Sequence, residues 1–177
     1  MLRWWKRLWR DERGFTLIEL MAVIAIIGIL TALIVPRLLS AVSGSQINDA
    51  VNQIRIVQVG MEEYYDAQGS LPPTSGAGAI TDWSSLVQVL SQYVALNPNE
   101  QHLKNLSYTP SATAGYFEDS WSNIDIGGSN YTLTLWSFTP AFSGTCPQGV
   151  TCKAGTYDIT EQQQGSSTAT VVAQGQW

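Results

Sequence analysis

One carboxylate, Glu19, sits inside a stretch otherwise suited to lipid. From Phe15 to Val35 the chain is apolar apart from Thr16, Glu19, Gly28 and Thr31. A helix needs about 20 such residues to cross the hydrocarbon core of a bilayer, and this run supplies them. A carboxylate costs roughly 2.5–3.5 kcal/mol at the bilayer centre and less near an end, so an acidic residue here is a functional candidate. Two ordinary readings stay open. A secretory signal peptide has an apolar core of about 7–15 residues with its cleavage site after it, and Leu39-Ser40-Ala41 offers a weak site. A plain single-pass anchor fits the length but leaves Glu19 without a purpose.

The residues around Glu19 form a sharper pattern. Arg3, Lys6, Arg7, Arg10 and Arg13 precede Gly14, then come Phe15, Thr16-Leu17-Ile18 and Glu19. This combination resembles the type III signal sequence of type IV pilins and of the related pseudopilins of type II secretion. The resemblance implies cleavage between Gly14 and Phe15 by a prepilin peptidase, with N-methylation of Phe15. It implies an assembly role for Phe15 and Glu19, in which Glu19 of one subunit meets the cationic amine of a neighbour. It further implies local melting of the helix between Gly28 and Pro36 in the assembled filament. Both residues weaken a helix: glycine by about 1 kcal/mol relative to alanine, proline by a lost donor and a clash with the preceding turn.

The partners and places follow from the same resemblance. They are copies of the chain in a homo- or heteropolymeric filament, the prepilin peptidase, an inner-membrane assembly platform and, before assembly, the lipid bilayer. The precursor belongs in the cytoplasmic membrane, and the product in a surface filament or a periplasmic pseudopilus. Trp4, Trp5 and Trp9 among the basic residues are the expected interfacial and positive-inside signals, which keep the leader inside and export the rest. Beyond the leader the basic residues are Arg37, Arg55, Lys104 and Lys153, in a chain of net charge −5. That balance argues against a nucleic-acid partner, which would need a basic patch.

The expected organisation has four parts: a leader at 1–14, a membrane or filament-core half-helix at 15–36, an amphipathic half-helix at 37–68, and a globular region at 69–177. Ile47, Val51, Ile54, Val57, Met61 and Tyr64/Tyr65 recur at steps of three and four, a helical stripe in need of a partner. Gln68 to Gly78 is rich in glycine, proline and serine and ends that helix. Tyr65, Gly69 and Pro72 resemble the way pilins end theirs. Asp82 to Val94 reads as a short amphipathic helix capped by Thr81 or Asp82. Strands are expected at Tyr131–Phe138, Gly155–Thr160 and Thr168–Ala173, with a fourth at Ser107–Thr109 or Gly115–Glu118. Helix plus antiparallel meander gives an α+β fold, the pilin architecture.

Cys146 and Cys152, six apart in an exported chain, read as a disulfide. No Walker loop, HExxH or GxSxG is present, so an enzyme is not expected. His102 reads as a solvated residue with no orienting partner. Glu118, Asp119, Asn123 and Asp125 read as an acidic loop, solvated or holding calcium, although their spacing is not that of an EF-hand. No other cofactor or metal is expected. The function expected is a structural subunit of a type IV pilus or pilus-like filament. The alternatives are a pseudopilin of type II secretion, a competence or minor pilin, and a monomeric membrane-anchored binding domain. Major pseudopilins usually carry a terminal acidic segment tied to calcium, and Ala173-Gln174-Gly175-Gln176-Trp177 does not match it.

Overall fold

The computed structural model describes residues 15–100, 102–147, 150 and 152–177. The chain divides into two compact units, Met1–Ala41 and Val42–Trp177. Residues 1–14, the expected leader, lie outside the described residues. In the first unit, helix α1 (Leu17–Gln68) begins and passes Gly28 and Pro36 as regular helix. This part is long and apolar enough to cross a membrane. Its apolar side chains, among them Ile18, Ile24, Leu30 and Leu33, are exposed. The Thr31 hydroxyl donates to the Ile27 carbonyl at 2.8 Å, the usual way a threonine is satisfied within a helix.

In the second unit, the later turns of α1 bury Ala50, Val51, Ile54, Val57 and Met61. These are the stripe positions expected from the spacing, with Ala50 added. Helix α2 (Trp83–Leu90) is stapled by a capping box. Asp82 Oδ1 accepts from the Ser85 amide at 2.7 Å, and Ser85 Oγ accepts from the Asp82 amide at 3.0 Å. The helix is shorter than expected, because the amides of Tyr93 and Val94 both turn back onto the Leu90 carbonyl. Trp83, Leu86 and Leu90 fill the core. Gly60 of α1 lets α2 approach: a Cβ there would stand 2.6 Å from Val94 Cγ2 and 3.2 Å from Leu90 Cδ1.

Five strands follow: β1 (Leu106–Ser111), β2 (Tyr116–Ile126), β3 (Ser129–Phe138), β4 (Thr156–Gln163) and β5 (Thr170–Gln176). They form one antiparallel sheet in the order β1-β2-β3-β4-β5. Both candidate fourth strands are therefore real. Gly127 and Gly128, with φ of 62° and 82°, make the two-residue turn between Ile126 and Ser129. A hairpin turn positive at both central positions matches strand twist, and glycine adopts it without strain. The sheet turns Phe117, Trp121, Leu133, Leu135, Ile159 and Ala173 into the core.

The acidic stretch expected as a loop is strand. Glu118, Asp119, Asn123 and Asp125 all belong to β2. Register slips between Trp121 and Ile124, where Asn123 takes φ 57°. The bulge reverses the alternation, so odd residues face inward before it and even residues after it. Polar side chains before and after it can then share a strand with a continuous buried side.

Candidate functional site: the head of the long helix

The head of α1 is built from three residues. Thr16 precedes the helix and Glu19 lies in its first turn. Glu19 Oε2 accepts from the Thr16 amide at 2.8 Å and from the Thr16 hydroxyl at 2.7 Å. In return, Thr16 Oγ1 accepts from the Glu19 amide at 3.3 Å, while the Thr16 carbonyl accepts from Leu20. This is a capping box, Thr-x-x-Glu, which satisfies helix donors that have no partner inside the helix. The carboxylate also lies at the positive end of the helix dipole. These bonds all use Oε2. Phe15, directly before the cap, is 82% exposed.

The sequence-predicted residues are thus placed unevenly. Phe15 and Glu19 lie together at the helix head, with Thr16 between them as the residue that sequence reasoning passed over. Its signal was the Thr-x-x-Glu spacing. Gly14 lies outside the described residues. Gly28 has open space around the position of a Cβ, and Pro36 is inside the helix. Cys146 and Cys152 form the expected disulfide, with Cα atoms 5.6 Å apart. It lies in the connection from β3 to β4, whose Phe142 packs on Phe138 and Tyr116 at ring distances of 4.8 and 6.2 Å.

The residues considered for calcium do not converge. Glu118 and Asp119 are consecutive in β2 and so point to opposite faces. Among the described residues, no three His, Cys, Asp or Glu side chains are placed to share a metal. The His102 amide donates to Glu100 Oε1 at 3.0 Å. A cavity of about 600 Å³ lies between the loop after α1 and the β1–β2 turn, with Tyr65, Leu71, Pro72, Pro110 and Thr139 in its walls.

Comparison with known proteins places this head in a family. The prokaryotic N-terminal methylation motif matches residues 9–35. The type IV major pilin protein PilE1 of Neisseria gonorrhoeae is 30% identical over 126 residues, 71% of this chain and 68% of that protein. The chain belongs to the type IV pilin family. Fimbrial protein EcpC of Eikenella corrodens is 44% identical to this pilin over 69 residues. That match spans 39% of the pilin and less than half, 45%, of EcpC. The type II secretion system core protein G of Pseudomonas aeruginosa is 38% identical over 55 residues, 31% of the pilin and 39% of that protein. No solved structure matches the pilin.

Proposed function

We propose that this pilin is the structural subunit of a type IV pilus or pilus-like filament, processed at Gly14–Phe15 and assembled through the first half of α1. The observation that carries the reading is the apolar, exposed surface of that half-helix, headed by a carboxylate already held in a defined position. Inside lipid, helices associate by van der Waals packing and polar contacts rather than by the hydrophobic effect. Small and branched residues from Ala22 to Val35 suit that packing.

The mechanism starts with cleavage after Gly14 by a prepilin peptidase. Cleavage frees the Phe15 amine, and methylation leaves it cationic. In the isolated chain, Glu19 is oriented by Thr16 through Oε2. Oε1 is then the oxygen offered to the Phe15 amine of a neighbouring subunit. Removing one partner of a buried ion pair typically costs about 3–5 kcal/mol, so the pair enforces register as a subunit docks. Melting between Gly28 and Pro36 belongs to the filament. The helix is intact through both residues in the single chain.

The precursor and an inner-membrane assembly platform reside in the cytoplasmic membrane, and the product lies outside it. The role is structural rather than catalytic. A pseudopilus is the second reading, favoured by the match to the secretion core protein G. The pilus reading ranks first because the likeness to PilE1 runs through 71% of the chain, whereas that to core protein G spans 31%. N-terminal mass spectrometry on sheared surface material and on membranes tests both. Methylated Phe15 in the sheared fraction supports a pilus, and methylated Phe15 in membranes alone supports a pseudopilus or minor pilin. An intact leader in both fractions, in cells with active peptidase, overturns the proposal.

A further inference from the structure

Asp119 is the one acidic residue in the innermost row of the sheet. Strand pairing aligns Tyr108, Asp119, Leu135, Ile159 and Ala173 across all five strands. The Asp119 side chain is fully buried. Neither of its carboxyl oxygens has a hydrogen-bond partner among the described residues. An ionised carboxylate in such a place is far more costly than the neutral acid.

Among the described residues, the groups that act on it add no positive charge. Leu135 of β3 is its direct neighbour on one side. On the other, Tyr108 of β1 stands opposite, and Tyr64 of α1 acts on that same phenol. Glu118 adjoins it on β2. Burial holds the Asp119 carboxyl well above the usual carboxylate range, and Glu118 pushes it further. Burial likewise raises the Tyr108 phenol, helped by Asp119.

Tyr108 connects this row to a loop. Its hydroxyl donates to the Pro72 carbonyl at 3.1 Å, in the wall of the 600 Å³ cavity. The next carbonyl, of Pro73, accepts from the Ile80 amide at 3.0 Å. We infer that Asp119 is a proton-gated latch: it is a neutral acid in the native domain, and its ionisation loosens β1 and, through Tyr108, the loop at Pro72–Ile80. A group whose native pKa is raised contributes its full stability below the unfolded value, about 3.9 for aspartate. That contribution is lost as pH rises toward the native value. The latch is therefore tight in acid and slack in alkali.

The test uses the full chain in detergent micelles. Carbon-13 NMR of the Asp119 carboxyl reads its proton directly and needs no variant. Urea unfolding of wild type and Asp119→Asn at pH 5 and pH 8, with exchange of the Ile80 amide, reads the consequence. The expected result is a protonated carboxyl at pH 7. Between pH 5 and pH 8 the wild-type folding constant should fall at least about eightyfold relative to the asparagine variant, as a carboxyl still protonated at pH 7 in the native state requires. The Ile80 amide should lose protection over the same range relative to Asp119→Asn, and Tyr108→Phe should abolish that difference. An ionised carboxyl at pH 7, or equal pH dependence in wild type and Asp119→Asn, overturns the inference. If Asp119→Asn does not fold, the wild-type carboxyl titration decides alone.

Discussion

Thr16 and Glu19 hold each other at the head of α1, with both Thr16 donors directed to the same carboxylate oxygen. The carboxylate caps its own helix; in the proposed assembly it also offers charge to a neighbour, and substitutions separate the two. Glu19→Gln keeps an acceptor for the cap, since glutamine serves at that position of a capping box, but carries no charge. Glu19→Ala loses both. Each should leave cleavage after Gly14 intact, because in the proposed sequence cleavage precedes assembly, and each should sharply reduce the yield of sheared filaments. Filament yield from Glu19→Gln equal to wild type would show that the cap, not the charge, is what assembly uses.

Thr16→Ala tests the other half. It removes the hydroxyl that accepts from the Glu19 amide and donates to Oε2. Loss of an N-cap costs about 0.5–2 kcal/mol. Amide exchange of the first helical turn in micelles should quicken by roughly two- to thirtyfold at that cost. Filaments should still form, at reduced yield. Unchanged exchange in the first turn would mean that lipid or detergent, not Thr16, orders the helix head.

Tyr157 and Gly175 pair directly across β4 and β5. A Cβ on Gly175 would collide with the Tyr157 ring at Cε1, Cζ and the hydroxyl oxygen. Overpacking of this kind typically costs about 1–3 kcal/mol. Gly175→Val should lower the urea midpoint of the globular unit, and Tyr157→Ala should recover part of that loss in the double variant. Additive effects of the two substitutions would show that the ring moves aside freely.

The Cys146–Cys152 bond closes a short loop away from the core. The chain-entropy model gives such a loop roughly 2 kcal/mol. Replacing both cysteines by serine should therefore lower stability modestly and leave the sheet in place, as read by circular dichroism and urea unfolding. Loss of the β-sheet signal would assign the bond a global role.

Much of this molecule was legible because apolar spacing is local information. The stripe from Val51 to Met61 and the alternation in Tyr131–Phe138 survive folding unchanged. The start of β2 is legible as a strand, but its acidic stretch reads as a loop because the bulge interrupts the alternation and Glu118 and Asp119 face different ways. Asp119 reads as solvated for the same reason, since nothing in a string of letters says which face of a strand is covered. Gly60 and Gly175 are explained only by what approaches them, Val94 and Tyr157, which are far along the chain. The Thr16–Glu19 cap is legible as Thr-x-x-Glu spacing, the ordinary helical use of a charge that is unusual in an apolar run.

The strand order has a consequence for how the subunit comes to exist. Each strand hydrogen-bonds only to its neighbours in sequence. No strand waits for a distant one to slot between existing partners, and topologies rich in local pairing fold quickly. A chain that emerges a few residues at a time can add β1 through β5 in the order they arrive. The last strand to emerge then occupies an edge, where it seals nothing that must open again.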